Sequence, residues 1–533
     1  MKFNKLFLGA AILSMGVLAS CSSDDEPAVN SGNDVKGDGY ITVKFKTAGI
    51  GESRAEGDAY EVGTDAEGKV TAANTRFYFF DAKGNPFTMT AAGNVNGTAA
   101  SNMVTPLEVN QPQNNTNGNT TGATGVLVLG KGTDGYEGVV PTLAVCVSNG
   151  TAAFMNGLAN RPLEDVAEAI ATSENTSMFM MSNSNYKEVN ANHGAVTIGD
   201  KVKSTPEAAN ADPVDFYLER LAVKVRIKDN QKTEFIAQEA TTADGVTTYA
   251  PAKYTIYQPD GTAKKDVNLR VQLADWQIVK TVETAYNIKK LPTTDPWTGW
   301  NDATYHRSYW ATSLAKAENV KNPYFDIYND AKWTKINVKE FPGYYTWEWT
   351  DATQEIAENY RGHDANATSV VVRAYVQEQD GEDWKNIELV KWAGTYFTLA
   401  AFKQQVINSY YGDNNNAVIT ADDVTLVYVG REGGSYNYWK VKVNGTDYEK
   451  YTHVKYWKNG VTSFYLNIKH GVDDDGKNVY GVVRNHIYEY DFTNIVGLGV
   501  PGNNPDGEET ETFVAAGINI LNWKVVSNSV VLE

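Results

Sequence analysis

From Phe216 to Ile227 the chain reads Phe-Tyr-Leu-Glu-Arg-Leu-Ala-Val-Lys-Val-Arg-Ile, a run that predicts one long strand. Period-two alternation places one set of side chains on one face of a sheet, whereas a helix needs apolar residues every three or four positions. The signature recurs in Tyr40–Thr47, where Ile41, Val43 and Phe45 share a face. Further strands are expected at Thr75–Phe80, Gly125–Leu129, Thr142–Ser148 and Ser177–Ser182. The second half adds Val267–Val279, Ser369–Gln377, Asp423–Val429, Val461–Ile468 and Tyr480–Tyr490. Turn residues such as Asp81-Ala82-Lys83-Gly84-Asn85-Pro86 separate them. Helical periodicity is confined to Leu163–Ala171 and Leu399–Ser409. Many short strands, few helices and no repeat at a solenoid period point to a mostly β chain built of β-sandwiches.

A chain of 533 residues implies two or three domains, and 42% hydrophobic residues are enough to fill their cores. Only two cysteines are present, so these cores hold without a disulfide framework. Cys146 sits in the apolar run Leu143-Ala144-Val145-Cys146-Val147 and reads as a buried small hydrophobe. The net charge of −18 repels nucleic acid and anionic lipid, which excludes both as partners.

The two ends are unlike the middle. Lys2 and Lys5 precede an apolar stretch from Leu6 to Val17, and Leu18-Ala19-Ser20 places small residues directly before Cys21. This is the pattern of a secretion signal ending in a lipobox, in which the Cys21 thiol takes a diacylglycerol. The apolar stretch is too short to span a bilayer. A polar spacer follows to Gly39, and the Tyr40–Thr47 strand then gives way to a small, polar segment, 48–58, that contains Arg54 and offers a protease an extended bond. At the other end, Pro501 to Glu509 reads as a helix-averse hinge. Beyond it Phe513 to Glu533 is strongly β, and an apolar terminal strand must find a sheet edge, its own or a neighbour's.

Catalytic motifs are missing. None of the six histidines forms HExxH, and no cysteine accompanies them at zinc-ligand spacing. There is no GxSxG elbow and no phosphate-cradling glycine loop. Asp473-Asp474-Asp475-Gly476 reads as a solvated hairpin turn rather than a calcium loop. The 31 tyrosines and 12 tryptophans read as core and cross-strand packing rather than sugar platforms. The expectation is a non-enzymatic protein with no cofactor and no metal.

Four segments resemble the fimbrillins of Bacteroidales, the subunits of type V pili. Leu218-Glu219-Arg220-Leu221-Ala222-Val223-Lys224-Val225 is similar to that family's ERL-A-KV strand, and His306-Arg307-Ser308-Tyr309-Trp310-Ala311 to its RSYWA segment. Gly481-Val482-Val483-Arg484-Asn485-His486-Ile487-Tyr488, followed by Gly497-Leu498-Gly499-Val500-Pro501, closely resembles its GVVRNH-x-Y…G-x-G-x-P run. Ile520-Leu521-Asn522-Trp523-Lys524-Val525-Val526 resembles its terminal strand. Length and ending are nearest the minor-fimbrium, Mfa-type branch. In this context Arg484 and His486 read as fixing a strand or domain contact rather than as catalysts.

The resemblance implies two transthyretin-like β-sandwich domains, 55–230 and 231–500. They are preceded by a signal peptide (1–21) and a tether with a removable strand (22–54), and followed by a hinge and donor strand (501–533). It implies export to the outer membrane as a lipoprotein through Cys21 and cleavage between Arg54 and Ala55 by a trypsin-like, arginine-specific protease. Ile41, Val43 and Phe45 would then leave the N-terminal domain, and Val526, Val530 and Leu532 of the next subunit would take their place. The expected function is a shaft subunit of an adhesive extracellular fimbria. Its partners are copies of itself, anchor and tip subunits, the processing protease and, before cleavage, the outer membrane through its lipid. The alternatives are an accessory or tip subunit, a surface glycan-binding lipoprotein or a cell-surface glycoside hydrolase.

Overall fold

The computed structural model describes residues 37–47, 59–60, 70–90, 100–110, 123–172, 179–184, 193–244, 246–291, 311–314, 327–328, 333–338, 343–350, 368–414, 417–432, 435–472, 478–502, 513–522 and 524–528. The side chains of 46–47, 59–60, 430–438, 471–472, 478 and 513–528 are not included. All described residues fall within one compact unit, Val35–Glu533. The chain is mostly β, as its alternation implies.

A nine-stranded sheet occupies the N-terminal half. Its strands run in the order Met103–Val104, Thr75–Phe80, Leu143–Ser148, Met181–Asn183, Val214–Arg220, Gly39–Thr47, Thr124–Leu129 and Glu108–Asn110, with Val196–Thr197 beside Leu143–Ser148. Isolated bridges from Met89 to Ser101 and to Gly132 link the two ends of this sheet, so it wraps round a single core. One face of every long strand contributes to that core, including Ile41, Val43, Phe77, Phe79, Leu127 and Phe216. Thr75–Phe80 and Leu143–Ser148 are buried on their other face as well, where Tyr78, Phe80 and Val145 join a second cluster. Burial on both sides explains why these two strands read as unbroken apolar runs. Cys146 is fully buried, and burial pushes its thiol well above the ordinary range.

The Phe216–Ile227 run is two strands rather than one. Val214–Arg220 belongs to the N-terminal sheet, while Ala222–Ile227 pairs with Tyr344–Trp347 and Ile487–Val496 in a different, eight-stranded sheet. Leu221, fully buried, is the crossing residue, and its N–H donates to the Met180 carbonyl at 3.0 Å. The eight-stranded sheet faces a six-stranded one built on Leu269–Val279, Ser369–Asp380 and Val461–Asn467. Val223, Tyr488 and Phe492 from the first meet Val271, Val372 and Phe464 from the second in one cluster. That is a sheet-on-sheet core of the kind expected.

Helices are short and their ends differ from expectation. Leu163–Ala167 stops before Ala171 because Ile170–Thr172 leaves to pair antiparallel with Thr284–Tyr286. Ala152–Gly157 and Pro206–Ala211 are additional, capped by the Thr151 and Thr205 hydroxyls. Leu399–Asp413 runs one turn beyond Ser409, capped by Thr398, with Phe402 and Val406 on its buried side. Val267–Val279 is split into Ala263–Val267 and Leu269–Val279, and Tyr480–Tyr490 into Asn478–Tyr480 and Ile487–Val496. Among the described residues no helix is long and apolar enough to cross a membrane.

Replacing Leu221 by Ala opens a void where the chain passes between sheets. The expected loss is about 2–5 kcal/mol of unfolding free energy, read from the urea midpoint at unchanged slope.

Candidate assembly site

Gly39–Thr47 is an internal strand with different neighbours on its two sides. It runs parallel to Val214–Arg220, with Val43 opposite Val214 and Phe45 opposite Phe216. It runs antiparallel to Thr124–Leu129, with Ile41 opposite Leu127 and Val43 opposite Gly125. Alternation decides which side chains go inward, and Ile41, Val43 and Phe45 are each at most 1% exposed. The Phe45 ring lies 5.9 Å from that of Phe77, which meets Phe216 edge-on at 5.1 Å. Gly125 makes room for them. A Cβ there would come within 3.1 Å of the Phe45 ring and 3.2 Å of a Val43 methyl.

The opposite face of the strand is held by polar contacts. The Thr42 hydroxyl donates to Asn210 Oδ1 at 2.6 Å, while Tyr40 packs with Val128 and Ala209 and exchanges two backbone hydrogen bonds with Lys203. Lys44 is exposed. Thr47 is the last described residue before 48–58, the segment that contains Arg54 and Ala55; both lie outside the described residues, as does Cys21. The chain is described again at Ala59–Tyr60, which pairs with the C-terminal strand, Ala59 opposite Val525 and Tyr60 opposite Lys524.

At the other end the terminal β segment finds an edge of its own sheet. Phe513–Asn522 lies antiparallel to Ile487–Val496, and Lys524–Asn528 folds back on it with Val526 opposite Ile520. Val526 is therefore placed by its backbone, while Val530 and Leu532 lie outside the described residues, as do His306–Trp310 of the RSYWA segment and Asp473–Gly476. Ala311, which closes that segment, is fully buried and its carbonyl accepts from the Thr350 hydroxyl.

The Gly481–His486 segment forms the third part. Asn485 has φ +62°, a left-handed conformation that Asn tolerates better than most residues, and this turns the chain back toward Leu221. Its N–H donates to the Ala222 carbonyl at 2.9 Å, and its Oδ1 accepts from the Arg220 backbone N–H at 3.3 Å. Arg484 is fully buried. Its Nε lies 3.1 Å from Glu348 Oε2 and 3.9 Å from Glu219 Oε1, and its Nη atoms donate to the Asn287 and Tyr286 carbonyls at 3.3 and 2.9 Å. Lys289 Nζ is 3.3 Å from Glu219 Oε2. His486, also fully buried, has Nδ1 2.7 Å from the Arg484 carbonyl, and its own carbonyl accepts from Lys224 N–H at 3.0 Å. Tyr488 below them accepts from Val483 N–H and meets His470 Nδ1 at 2.8 Å; burial pushes its phenol far above the ordinary range. Two carboxylates, a guanidinium and an ammonium thus neutralise one another where the two sheets meet. Arg484 and His486 stood out in the sequence. Glu219, Lys289 and Glu348 did not, although a glutamate inside the Leu218–Val225 strand motif is the signal that marks Glu219.

Residues 455–529 match the C-terminal family of fimbrillin, the major fimbrial subunit protein type IV. The chain carries a fimbrillin C-terminal region. That fimbrillin region takes in the Arg484 segment and both terminal strands. No curated protein matches the chain. Among solved structures it is similar to a candidate cell adhesion protein from Parabacteroides distasonis, at 10% identity over 91% of this chain and 98% of that one, TM-score 0.38. It is also similar to the tip fimbrial protein Mfa3 from Porphyromonas gingivalis with C-terminal truncation, at 12% identity over 90% and 98%, TM-score 0.29. These likenesses are too distant to carry an argument.

Removing the guanidinium leaves Glu219 and Glu348 sharing a dry site with Lys289 alone. Arg484→Ala is expected to cost about 3–5 kcal/mol in urea unfolding, and Arg484→Met combined with Glu348→Leu to recover part of it.

Proposed function

We propose that this fimbrial protein is a shaft subunit that polymerises head-to-tail by exchanging Gly39–Thr47 for the C-terminal strand of the next copy. It is exported to the outer-membrane surface as a lipoprotein through Cys21, then cut between Arg54 and Ala55 by a trypsin-like protease. The mature chain consists of two transthyretin-like sandwich domains that join where the chain crosses between sheets at Leu221, with a hinge and donor strand at 501–533. Its partners are further copies and the anchor and tip subunits, and its role is structural and adhesive rather than catalytic.

One observation carries this reading: Gly39–Thr47 is an internal strand, paired on both sides, and rejoins the rest of the fold only through the segment containing Arg54. Before cleavage the strand competes for its slot at the effective concentration of a tethered segment, on the order of millimolar. A cut at Arg54 removes that advantage and leaves the strand held by its contacts alone. Ile41, Val43 and Phe45 contribute about 1.5–3 kcal/mol each by burial, and Val526, Val530 and Leu532 of an incoming strand contribute a similar amount. The exchange is nearly balanced in apolar burial, so loss of the tether decides its direction. An emptied slot, apolar and bordered by two unpaired strand edges, then favours the incoming strand.

The precursor lacking residues 1–21, treated with limiting trypsin, is expected to gain an N-terminus at Ala55 and to form ladders on an unheated SDS gel. Arg54→Ala is expected to stay monomeric under the same treatment, and a chain ending at Asn522 to be cut yet remain a folded monomer. Ladders from the truncated chain would overturn the donor assignment. Cleavage at Ala55 that leaves the intact chain monomeric would favour an accessory subunit or a glycan-binding lipoprotein.

A further inference from the structure

Between Asn386 and Val461 the chain leaves the six-stranded sheet and returns to it at the same point. Ile387 N–H donates to the Val376 carbonyl at 3.0 Å. Gly460, at φ +75°, lies so close that a Cβ there would sit 2.6 Å from the Val376 oxygen and 3.3 Å from the Ile387 oxygen. Just outside this junction Glu388 Oε1 accepts from both Asn459 N–H, at 3.0 Å, and the Tyr456 hydroxyl, at 2.8 Å. The outgoing strand Leu389–Trp392 and the returning strand Lys455–Trp457 pair directly, Leu389 opposite Trp457. The segment is thus looped out of the sandwich on a closed, hydrogen-bonded neck. Termini that meet in this way mark an inserted domain.

What lies beyond the neck has its own core. The helix Leu399–Asp413 packs Phe402 and Val406 against Val424, Trp439, Val441 and Tyr451, and every buried member of this cluster falls between Val390 and Tyr456. A three-stranded sheet, Val424–Glu432, Ser435–Val443 and Thr446–Asp447, is made entirely from the segment. Its strand pairing with the rest of the chain, among the described residues, is a parallel contact in which Tyr396 and Phe397 lie opposite Ile256 and Tyr257. Neither Gly39–Thr47 with its two neighbours nor the terminal hairpin pairs with it.

We propose that residues 388–459 are an inserted module that folds as its own cooperative unit and is carried by each subunit outside the assembly reaction. The module meets the sandwich through Leu389, Trp457 and Tyr396 at its base and through Trp439 Nε1, which donates to the Pro501 carbonyl at 3.4 Å. Beyond these contacts its own core and closed neck let it loosen or vary while the sheets on either side keep their pairing. The second half of the inference, that the module is dispensable for polymerisation, rests on the proposed strand exchange. The first half does not.

Two experiments on the full-length precursor test it. Phe402→Ala hollows the module's core; amide exchange within 389–457 is expected to accelerate by about a hundredfold or more, with Ser369–Asp380 and Val461–Asn467 unchanged. Acceleration spreading into those two strands would overturn the module. In a second variant a short Gly-Ser bridge replaces 388–459 and joins Ile387 to Gly460. After cleavage at Arg54 it is expected to form ladders at the parent's rate. A folded, cut but monomeric variant beside a polymerising parent would overturn dispensability. A bridged chain that fails to fold would overturn it too, since the sandwich would then need the module. If the parent itself forms no ladders, strand exchange fails as a reading, and the exchange rates of Phe402→Ala still decide whether the module stands alone.

Discussion

The connection between the two halves hangs on a guanidinium buried among two carboxylates and an ammonium. Arg484 meets Glu348 and stands near Glu219, which Lys289 also approaches, exactly at the level where the chain passes from one sheet to the other at Leu221. Bringing such groups out of water costs several kcal/mol each, so the cluster is tolerable only with its partners in place. Hydrophobic contacts slide with little penalty, whereas a buried charge cluster has one satisfactory geometry. Asn485 and His486 extend the same constraint, the Asn485 side chain accepting from Arg220 and the two backbones binding Ala222 and Lys224. The arrangement makes the relation between the sheets specific as well as stable.

Much of the fold was legible in side-chain periodicity. The class follows from alternation, and the strand Gly39–Thr47 with its inward set Ile41, Val43 and Phe45 lies where the pattern put it. The sheet crossing was legible too, in a feature easily passed over. Apolar residues fall on even numbers at Phe216 and Leu218 but on odd numbers at Leu221, Val223, Val225 and Ile227. A strand cannot change the parity of its inward face without a break, and the break falls at Leu221. The two extra helices were each one or two turns long, too short for periodicity to register, although Thr205 followed by Pro206 is a capping signal.

Other features were not legible because they depend on residues far apart in the chain. Nothing local pairs Glu348 with Arg484, 136 positions away, or brings Lys289 to Glu219. The inserted module hides for the same reason. Its helix and the strand that starts at Val424 were visible as elements, but its other strands were not, and the contact between Ile387 and Gly460 that makes them an insertion exists only once the six-stranded sheet has formed.

The unlike neighbours of Gly39–Thr47 have a consequence for any polymer built through that slot. A strand lying parallel to Val214–Arg220 is necessarily antiparallel to Thr124–Leu129; reversing it would invert both hydrogen-bond ladders at once and turn every registered side chain out of place. The slot therefore reads the direction of whatever occupies it. In a polymer built by the proposed exchange, each added subunit would enter with the same heading as the last, and the fibre would have a polarity: its two tips would be chemically different, one ending in an open slot and the other in a free strand.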